Sequence, residues 1–143
     1  MIPRSLVLFS AIALVSAYST AACAQGKGKS TVMPATALKW ADAGVPGVSV
    51  AAADGDMKKG ASHFFLRYAA GFKAPLHHHS PDHHVVTVSG NLVLIVDGKE
   101  NNLPPGSSFS LRNKAPHGAR CEGSQDCVMF IDARGPWDVV AEK

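Results

Sequence analysis

Turn-forming residues interrupt this chain at intervals of roughly 8–12 residues, a spacing typical of all-β sandwiches and barrels. Short apolar runs lie between the turns. The runs at 83–88 and 91–96 are separated only by Ser89-Gly90, which predicts a hairpin, and 117–121 with 127–132 predict another. Further strands are predicted at 48–50, 62–69, 108–111 and 137–140. No helical period extends beyond two turns, so the sequence predicts an all-β fold.

Length and composition favour one globular domain. The chain has 143 residues, and an average domain has roughly 150. Hydrophobic residues make up 46% of the chain and charged residues 17%. These values argue against an intrinsically disordered chain and against a coiled coil. The net charge is only +3 and the basic residues are scattered, so no nucleic-acid partner is expected.

The first 24 residues have the pattern of a secretory signal peptide. Arg4 gives a positive start, residues 5–22 form an uncharged apolar stretch, and Ala22-Cys23-Ala24 supplies small residues for cleavage. Cleavage would leave a mature chain that begins at Gln25, is periplasmic or secreted, and has no membrane partner. An uncleaved anchor and a lipid on Cys23 are the alternatives. The apolar stretch is short and diluted by Ser and Thr, compared with the ~20 apolar residues of a membrane span.

The mature chain divides into an arm and a barrel. Residues 25–46 are expected to form an N-terminal arm around Trp40, and residues 47–143 a single β-barrel domain. Cys121 and Cys127 are separated by a polar, turn-prone segment, which favours a disulfide in an oxidising compartment. The bridge would close a short loop, so its entropic contribution is smaller than the ~3 kcal/mol of a 15-residue loop. A pair of thiolate metal ligands is the alternative interpretation.

Histidine is the unusual feature of the composition, because five of the seven histidines lie between His77 and His84. Residues two apart on a strand share a face, so His77 and His79 project together. Ser80-Pro81-Asp82 supplies a bend, after which His83 can rejoin the same site. Neutral imidazole suits Zn, Cu, Fe and Ni, so this spacing predicts a metal site. An exposed His-rich turn that binds metal weakly is the alternative.

These residues resemble the first motif of the cupin family. In that motif a glycine is followed by five residues and H-x-H, then by three or four residues and a glutamate, then by six residues and a glycine. Gly71, His77, His79, His83 and Gly90 match every spacing, with His83 in the place of the glutamate.

The second cupin motif is matched more loosely. It has a Pro-x-Gly turn and a later histidine, here Pro104-Pro105-Gly106 and His117, whereas Phe109 occupies the place of the histidine in the strict version. The resemblance implies a double-stranded β-helix, the cupin or jelly-roll barrel, with one divalent transition metal inside. Its ligands, carried over by position, are His77, His79, His83 and His117.

A four-histidine site resembles the all-histidine branch of small single-domain cupins. The resemblance implies Mn or Fe, with Cu, Ni and Zn as alternatives, and argues against the oxalate-decarboxylating cupins, which keep the glutamate. We expect a periplasmic, metal-dependent oxygenase of the dioxygenase type that acts on a small organic substrate. A metal-dependent lyase or isomerase and a non-catalytic metal- or ligand-binding sensor are alternatives, so enzyme activity itself stays open. A homodimer is also implied, with the Trp40 arm as a candidate contact.

Arg67 is the candidate pocket residue beyond the metal ligands. If the strand face that carries His63 and Arg67 looks into the barrel, Arg67 could bind an anionic substrate; a surface position is the alternative. The opposite face of that strand is expected to pack in the core. Core positions are expected for Phe64, Phe109, Met129 and Phe130.

Overall fold

Eleven short strands account for nearly all the regular structure in residues 30–143, the part of the protein that the computed structural model describes. A 3-10 turn, Ala35–Ala37, precedes them. No helix in this range is long and apolar enough to cross a membrane. The signal peptide predicted at 1–24 lies outside the described residues, as do residues 25–29 of the predicted arm. The strands are β1 (Ala41–Asp42), β2 (Val48–Gly55), β3 (Ser62–Tyr68), β4 (Lys73–His78), β5 (His83–Ser89), β6 (Asn91–Val96), β7 (Lys99–Leu103), β8 (Ser108–Leu111), β9 (His117–Glu122), β10 (Cys127–Ala133) and β11 (Val140–Ala141).

The strands form two antiparallel sheets. Sheet A has six strands in the order β1-β2-β3-β10-β5-β8, and sheet B has five in the order β11-β4-β9-β6-β7. From β3 onward the chain changes sheet at almost every connection, which is the topology of a jelly roll. The prediction of a single-domain, all-β, double-stranded β-helix is confirmed.

Alternation of buried and exposed residues places the core between the sheets. In β10 every second residue is buried, including Cys127, Met129 and Ala133, which is the pattern of a strand with one covered face. Phe64 of β3 in sheet A and Leu92 of β6 in sheet B belong to the same core cluster. Burial of a large apolar side chain contributes roughly 1.5–3 kcal/mol, so this cluster holds the two sheets together.

Both predicted hairpins are wrong, although their strands are present. β5 lies in sheet A and β6 in sheet B, and β9 and β10 are divided in the same way. The short connections therefore turn the chain across the barrel rather than back along one sheet. Gly90 makes the first of these corners with a φ of 77°. A Cβ atom there would lie 2.6 Å from the Asp126 carbonyl oxygen and 2.7 Å from the Cys127 Cα.

The disulfide lies at the second corner. Cys121 of β9 and Cys127 of β10 are bonded, with their Cα atoms 5.6 Å apart. Both side chains are buried and belong to the core cluster. Because the two strands belong to different sheets, the bond links sheet B to sheet A instead of stapling a hairpin.

Three elements differ from the sequence prediction for physical reasons. The polar strand β7 escaped prediction because it has no apolar alternation, yet it pairs along its whole length with β6 as the edge of sheet B. The strand expected at 137–140 is displaced to β11, and Trp137 precedes it. Sheet A begins inside the predicted arm, since β1 pairs with Ser49 and Val50.

The outer face of sheet A carries an aromatic cluster that includes Phe130, which was expected in the core. The rings of Phe65 and Phe130 meet edge to face with centroids 5.2 Å apart, and His63 stacks on Phe130 at 6.0 Å. These residues alternate with the buried positions of β3 and β10. Met129 and Phe109 do pack in or against the core.

Candidate metal centre

Strand pairing brings the first two histidines of the site together. His77 on β4 and His117 on β9 are direct cross-strand partners, so their side chains project from the same face of sheet B. Their ring centroids are 4.3 Å apart. Both side chains are buried, with 5% and 4% of their surface exposed.

His79 completes a close triad from the first residue beyond β4. Its ring centroid lies 4.9 Å from that of His77 and 5.2 Å from that of His117. The potential ligand atoms of the three residues all lie within 4.8 Å of one another. This triad could hold a metal ion.

His83 lies against the triad from the other sheet. It is the first residue of β5 and is buried. Its ring meets that of His79 edge to face at 4.9 Å, while the ring of His117 is 6.2 Å away. The structure thus groups three of the four predicted ligands and places the fourth beside them.

Hydrogen bonds fix the tautomer of all four rings. A carbonyl oxygen can only accept, so each Nδ1–H donates, and the lone pair of each neutral ring is on Nε2. This is the arrangement that metal-ligating histidines show, so the donor set fits a divalent transition metal. The Nδ1 atoms donate to the carbonyl oxygens of Pro75 (from His77, 2.7 Å), Asp138 (from His79, 2.5 Å), Pro81 (from His83, 3.0 Å) and Ala115 (from His117, 3.0 Å).

Burial favours the neutral form of three imidazoles, those of His79, His83 and His117. Loss of solvation lowers the pKa of His79 to about 3 and that of His117 to about 4, and the neighbouring histidines reinforce the effect. Burial also lowers the pKa of His83. Neutral imidazole is the form that binds a metal, so these rings are ready as ligands at neutral pH.

A small cavity adjoins the histidines inside the barrel. Its volume is about 30 Å³, room for roughly two water molecules. The residues of the wall with polar side-chain groups are three histidines, Tyr68 and Trp137. Burial raises the pKa of Tyr68 to about 12. The wall consists of Leu66, Tyr68, His79, His83, Val85, Leu92, Leu94, Phe109, Leu111, His117, Ala119, Met129, Ile131 and Trp137.

Trp137 covers the histidines at one side of this cavity. Its indole stacks on the His79 ring with centroids 3.9 Å apart and an interplanar angle of 24°. It meets His83 and Phe64 edge to face, each at 5.0 Å. The side chain is half-buried and forms part of the cavity wall.

The segment that carries Trp137 is hydrogen-bonded to β4 and to Ser80, on both sides of His79. We call residues 134–142 the C-terminal strap. The Ser80 N–H and Oγ–H donate to the two carboxylate oxygens of Asp138, at 2.7 and 2.6 Å. Further along, β11 pairs with β4, and His78 Nδ1–H donates to Glu142 Oε1 at 2.5 Å. The strap therefore holds both ends of the segment that bears His79.

Arg67 does not line the histidine cavity. It belongs to the outer face of sheet A, where its guanidinium lies 4.7 Å from the centroid of the Trp40 ring and donates to Ser49 Oγ at 3.3 Å. The alternation of β3 explains the difference, because the face that carries Phe64 is the one that packs inward. Arg67 thus takes the surface position, where it lines a cavity of about 390 Å³ together with Trp40 and Ser49.

Trp137 and Asp138 are the site residues that sequence reasoning missed. They lie 58 and 59 residues after His79, and no spacing rule connects them to it. Their one sequence signal is the aromatic and acidic pair in Gly135-Pro136-Trp137-Asp138. A local signal for the ligands was also present, since Pro75 and Pro81 each precede a site histidine by two residues and supply its carbonyl.

Comparison with known proteins supports this architecture. The family model described as Cupin domain matches residues 64–132, which include all four histidines. No curated protein matches the sequence significantly.

Solved structures of the same fold are numerous but distant. KdgF from Halomonas sp. has a TM-score of 0.63 at 18% identity, covering 74% of this chain and 94% of that one. The polyketide cyclase RemF from Streptomyces resistomycificus has a TM-score of 0.67 at 17% identity, and the match covers 80% of this chain and 87% of that one. An RmlC-like cupin from Shewanella frigidimarina has a TM-score of 0.62 at 18% identity, and the match covers 76% of this chain and 92% of that one. Others include a sugar phosphate isomerase, DMSP lyases and an oxalate oxidase, so the shared fold leaves the reaction open.

Proposed function

We propose that this chain, which carries a cupin domain, is a metal-dependent oxidoreductase of the oxygenase type that acts on a small organic substrate. His77, His79, His83 and His117 would hold one Mn or Fe ion, with Cu, Ni and Zn as alternatives. The observation that carries the proposal is the character of the cavity. An apolar wall surrounds a cluster of neutral imidazoles.

The residues of the site suit redox chemistry. Fe or Mn bound by imidazoles supplies one-electron and dioxygen chemistry. The Nδ1–H bonds to main-chain carbonyls hold the rings in place, and most of the residues that line the cavity are apolar. The phenol of Tyr68 has a pKa of about 12, so at neutral pH it keeps its proton and can donate a hydrogen bond.

The same lining disfavours the lyase and isomerase alternatives. Such reactions move protons and need a placed base whose pKa is near the working pH. Tyr68 is too weak an acid to provide that base at neutral pH. The four imidazoles are committed to the metal in this proposal, so the wall of the cavity offers no other side-chain base among the described residues.

A non-catalytic metal- or ligand-binding protein is the second candidate, and the size of the cavity favours it. A volume of about 30 Å³ is far below the roughly 300 Å³ of the smallest ordinary ligand pockets. A protein that only binds or senses a metal needs no substrate space beside the ion.

Metal analysis is the first test. Protein purified without added metal should carry about one equivalent of Mn or Fe. H77A, H79A and H117A should each lose it, and H83A should lose it or bind it more weakly. H84A is the matched control, because His84 is exposed and bonds Ser110 outside the barrel. Equal, substoichiometric metal in all five variants and the wild type would sink the metal-centre proposal.

Oxygen uptake separates the two candidates. The loaded wild type and the loaded W137A variant, which removes the indole above His79, are mixed with catechol or with the enol of a 1,3-diketone, and dissolved oxygen is followed. Uptake that disappears in H79A supports the oxygenase. Full metal loading without uptake for either compound favours the binding protein.

We also propose that residues 1–24 are a cleaved signal peptide and that the mature protein is periplasmic or secreted. The Cys121–Cys127 bond supports this, since disulfides persist mainly in oxidising compartments. Mass spectrometry of the cell-envelope and secreted fractions should find a chain that starts at Gln25. A cytoplasmic protein that retains Met1 would contradict the proposal.

A further inference from the structure

We propose that Trp137 determines the specificity of the metal centre by restricting the size of the molecules that bind the ion directly. This inference rests on the proposed function only in that the histidines hold a metal. It concerns which external ligands the ion can accept, and it holds whether or not turnover follows.

The position of the indole supports this role. Trp137 stacks on the ring of His79 at 3.9 Å and meets the ring of His83 at 5.0 Å. It therefore touches two of the rings whose Nε2 atoms face the ion. A molecule that binds the metal from this side must share space with the indole.

The remaining room is very small. The cavity beside the histidines measures about 30 Å³, which is room for roughly two water molecules. Dioxygen, peroxide or azide fit such a space, whereas a five-membered ring needs the volume that the indole now fills.

The indole is held rather than loosely placed. The main-chain N–H of Trp137 donates to the Met57 carbonyl oxygen at 2.7 Å. The indole ring packs edge to face on Phe64 of the core. The next residue, Asp138, is bonded to Ser80 through both carboxylate oxygens. Fixed contacts on both sides keep Trp137 over the site and make the size limit sharp.

Two probe molecules test the limit on Cu(II)-loaded protein. Azide has three atoms, and imidazole has a five-membered ring; each is titrated while the copper spectrum is followed by visible absorption and electron paramagnetic resonance. The variants are wild type, W137A and W137F. The control is W40A, because Trp40 lies against Arg67 on the outer face of sheet A. Copper content is measured after each titration so that extraction of the metal is recognised.

Azide should bind the wild type and W137A with similar affinity. Imidazole should bind W137A at least about tenfold more tightly than the wild type, in line with the size discrimination of apolar pockets. W137F should be intermediate, and it also replaces W137A if the alanine variant does not fold. W40A should match the wild type.

Two failures are distinguishable. If imidazole binds the wild type, W137F and W137A equally, the role of Trp137 is overturned while the metal centre stands. If the wild type retains no copper, the metal centre fails and the role of Trp137 fails with it.

Discussion

The main-chain carbonyl oxygen of Asp138 accepts a hydrogen bond from Nδ1 of His79 at 2.5 Å. The carboxylate of the same residue accepts two more from Ser80, the residue that follows His79. Asp138 thus orients the ring and fixes the backbone beside it. Among the four rings, His79 alone takes its carbonyl from a distant part of the chain.

Loss of the Asp138 carboxylate should weaken metal binding. D138A frees Ser80 and loosens the carbonyl that orients His79, so we expect metal affinity to fall about tenfold, the lower end of the range for such supporting residues. Competition with a chelator measures this. E142A is the matched control, because Glu142 is a strap carboxylate that bonds His78 rather than a ligand. Equal affinities of D138A and E142A would contradict the prediction.

The metal-free protein should lose stability as the pH falls below neutral. The pKa values of His79 and His117 are about 3 and about 4 in the folded state, against 6.5 for an unperturbed histidine. Between these values the unfolded chain binds more protons, so the free energy of unfolding rises with pH. This contribution is complete above about pH 7 and is lost progressively below 6.5.

Urea unfolding with a chelator present measures the effect. We expect a loss of about 2 kcal/mol or more between pH 7 and pH 5, a range above the titration of most carboxylates. The double variant H79A/H117A should show a much flatter profile. A wild-type stability that is constant over this range would show that the folded imidazoles titrate normally.

Reduction of the disulfide should cost about 2 kcal/mol. Cys121 and Cys127 are six residues apart, and closure of so short a loop contributes about that much in the chain-entropy account. Thermal unfolding of the wild type with and without reductant gives the value. The double variant C121A/C127A should be insensitive to reductant, and a reductant effect of the same size in that variant would remove the disulfide as its source.

Substitution of Gly90 should be far more damaging than substitution of Gly98. Both have a positive φ, 77° and 72°, so both alanine variants carry backbone strain of roughly 1–3 kcal/mol. Only at Gly90 does the new Cβ meet other atoms, the Asp126 carbonyl oxygen at 2.6 Å and the Cys127 Cα at 2.7 Å. G98A should unfold a few degrees below the wild type, while G90A should be largely insoluble. Similar melting temperatures for the two would refute the steric argument.

We expect a homodimer in which the arm around Trp40 takes part. Deletion of residues up to Ala43 should then convert a dimer to a monomer in light scattering. Since the deletion also removes β1 from the edge of sheet A, W40A is the gentler companion variant and should weaken the dimer without removing a strand. An unchanged mass in both would exclude the arm from any dimer contact.

The strands of this fold could be predicted because their signals are local. The alternation of β10 and the glycines at the turns can be recognised from a few neighbouring residues. Strand geometry puts His77 and His79 on one face, because they are two residues apart. The pairing of those strands could not be predicted in the same way. Ser89-Gly90 has the composition of a hairpin turn, but lack of space beside the Asp126 carbonyl, not turn chemistry alone, requires glycine there.

The position of Trp137 over the histidines could not be predicted from the sequence for a similar reason. Trp137 contacts His79 across 58 residues of sequence, and the nearby pairing of β11 with β4 is equally long-range. Neither produces a periodic pattern in the sequence. β7 was missed because an edge strand with both faces in solvent needs no apolar residues. Phe130 does not pack in the core, although aromatic residues usually do, because the alternation of β10 points it outward.

The strap gives the assembly of this protein an order in time. His77, His79, His83 and His117 are all synthesised before the residues that cover them, and the carbonyl that aligns His79 belongs to Asp138, 59 residues after it. A chain that has not yet been extended as far as Trp137 therefore carries the ligands but neither the support of His79 nor the indole above it. The centre takes its finished form only after residues 137 and 138 have docked on it, so a metal bound earlier meets the histidines without their cover.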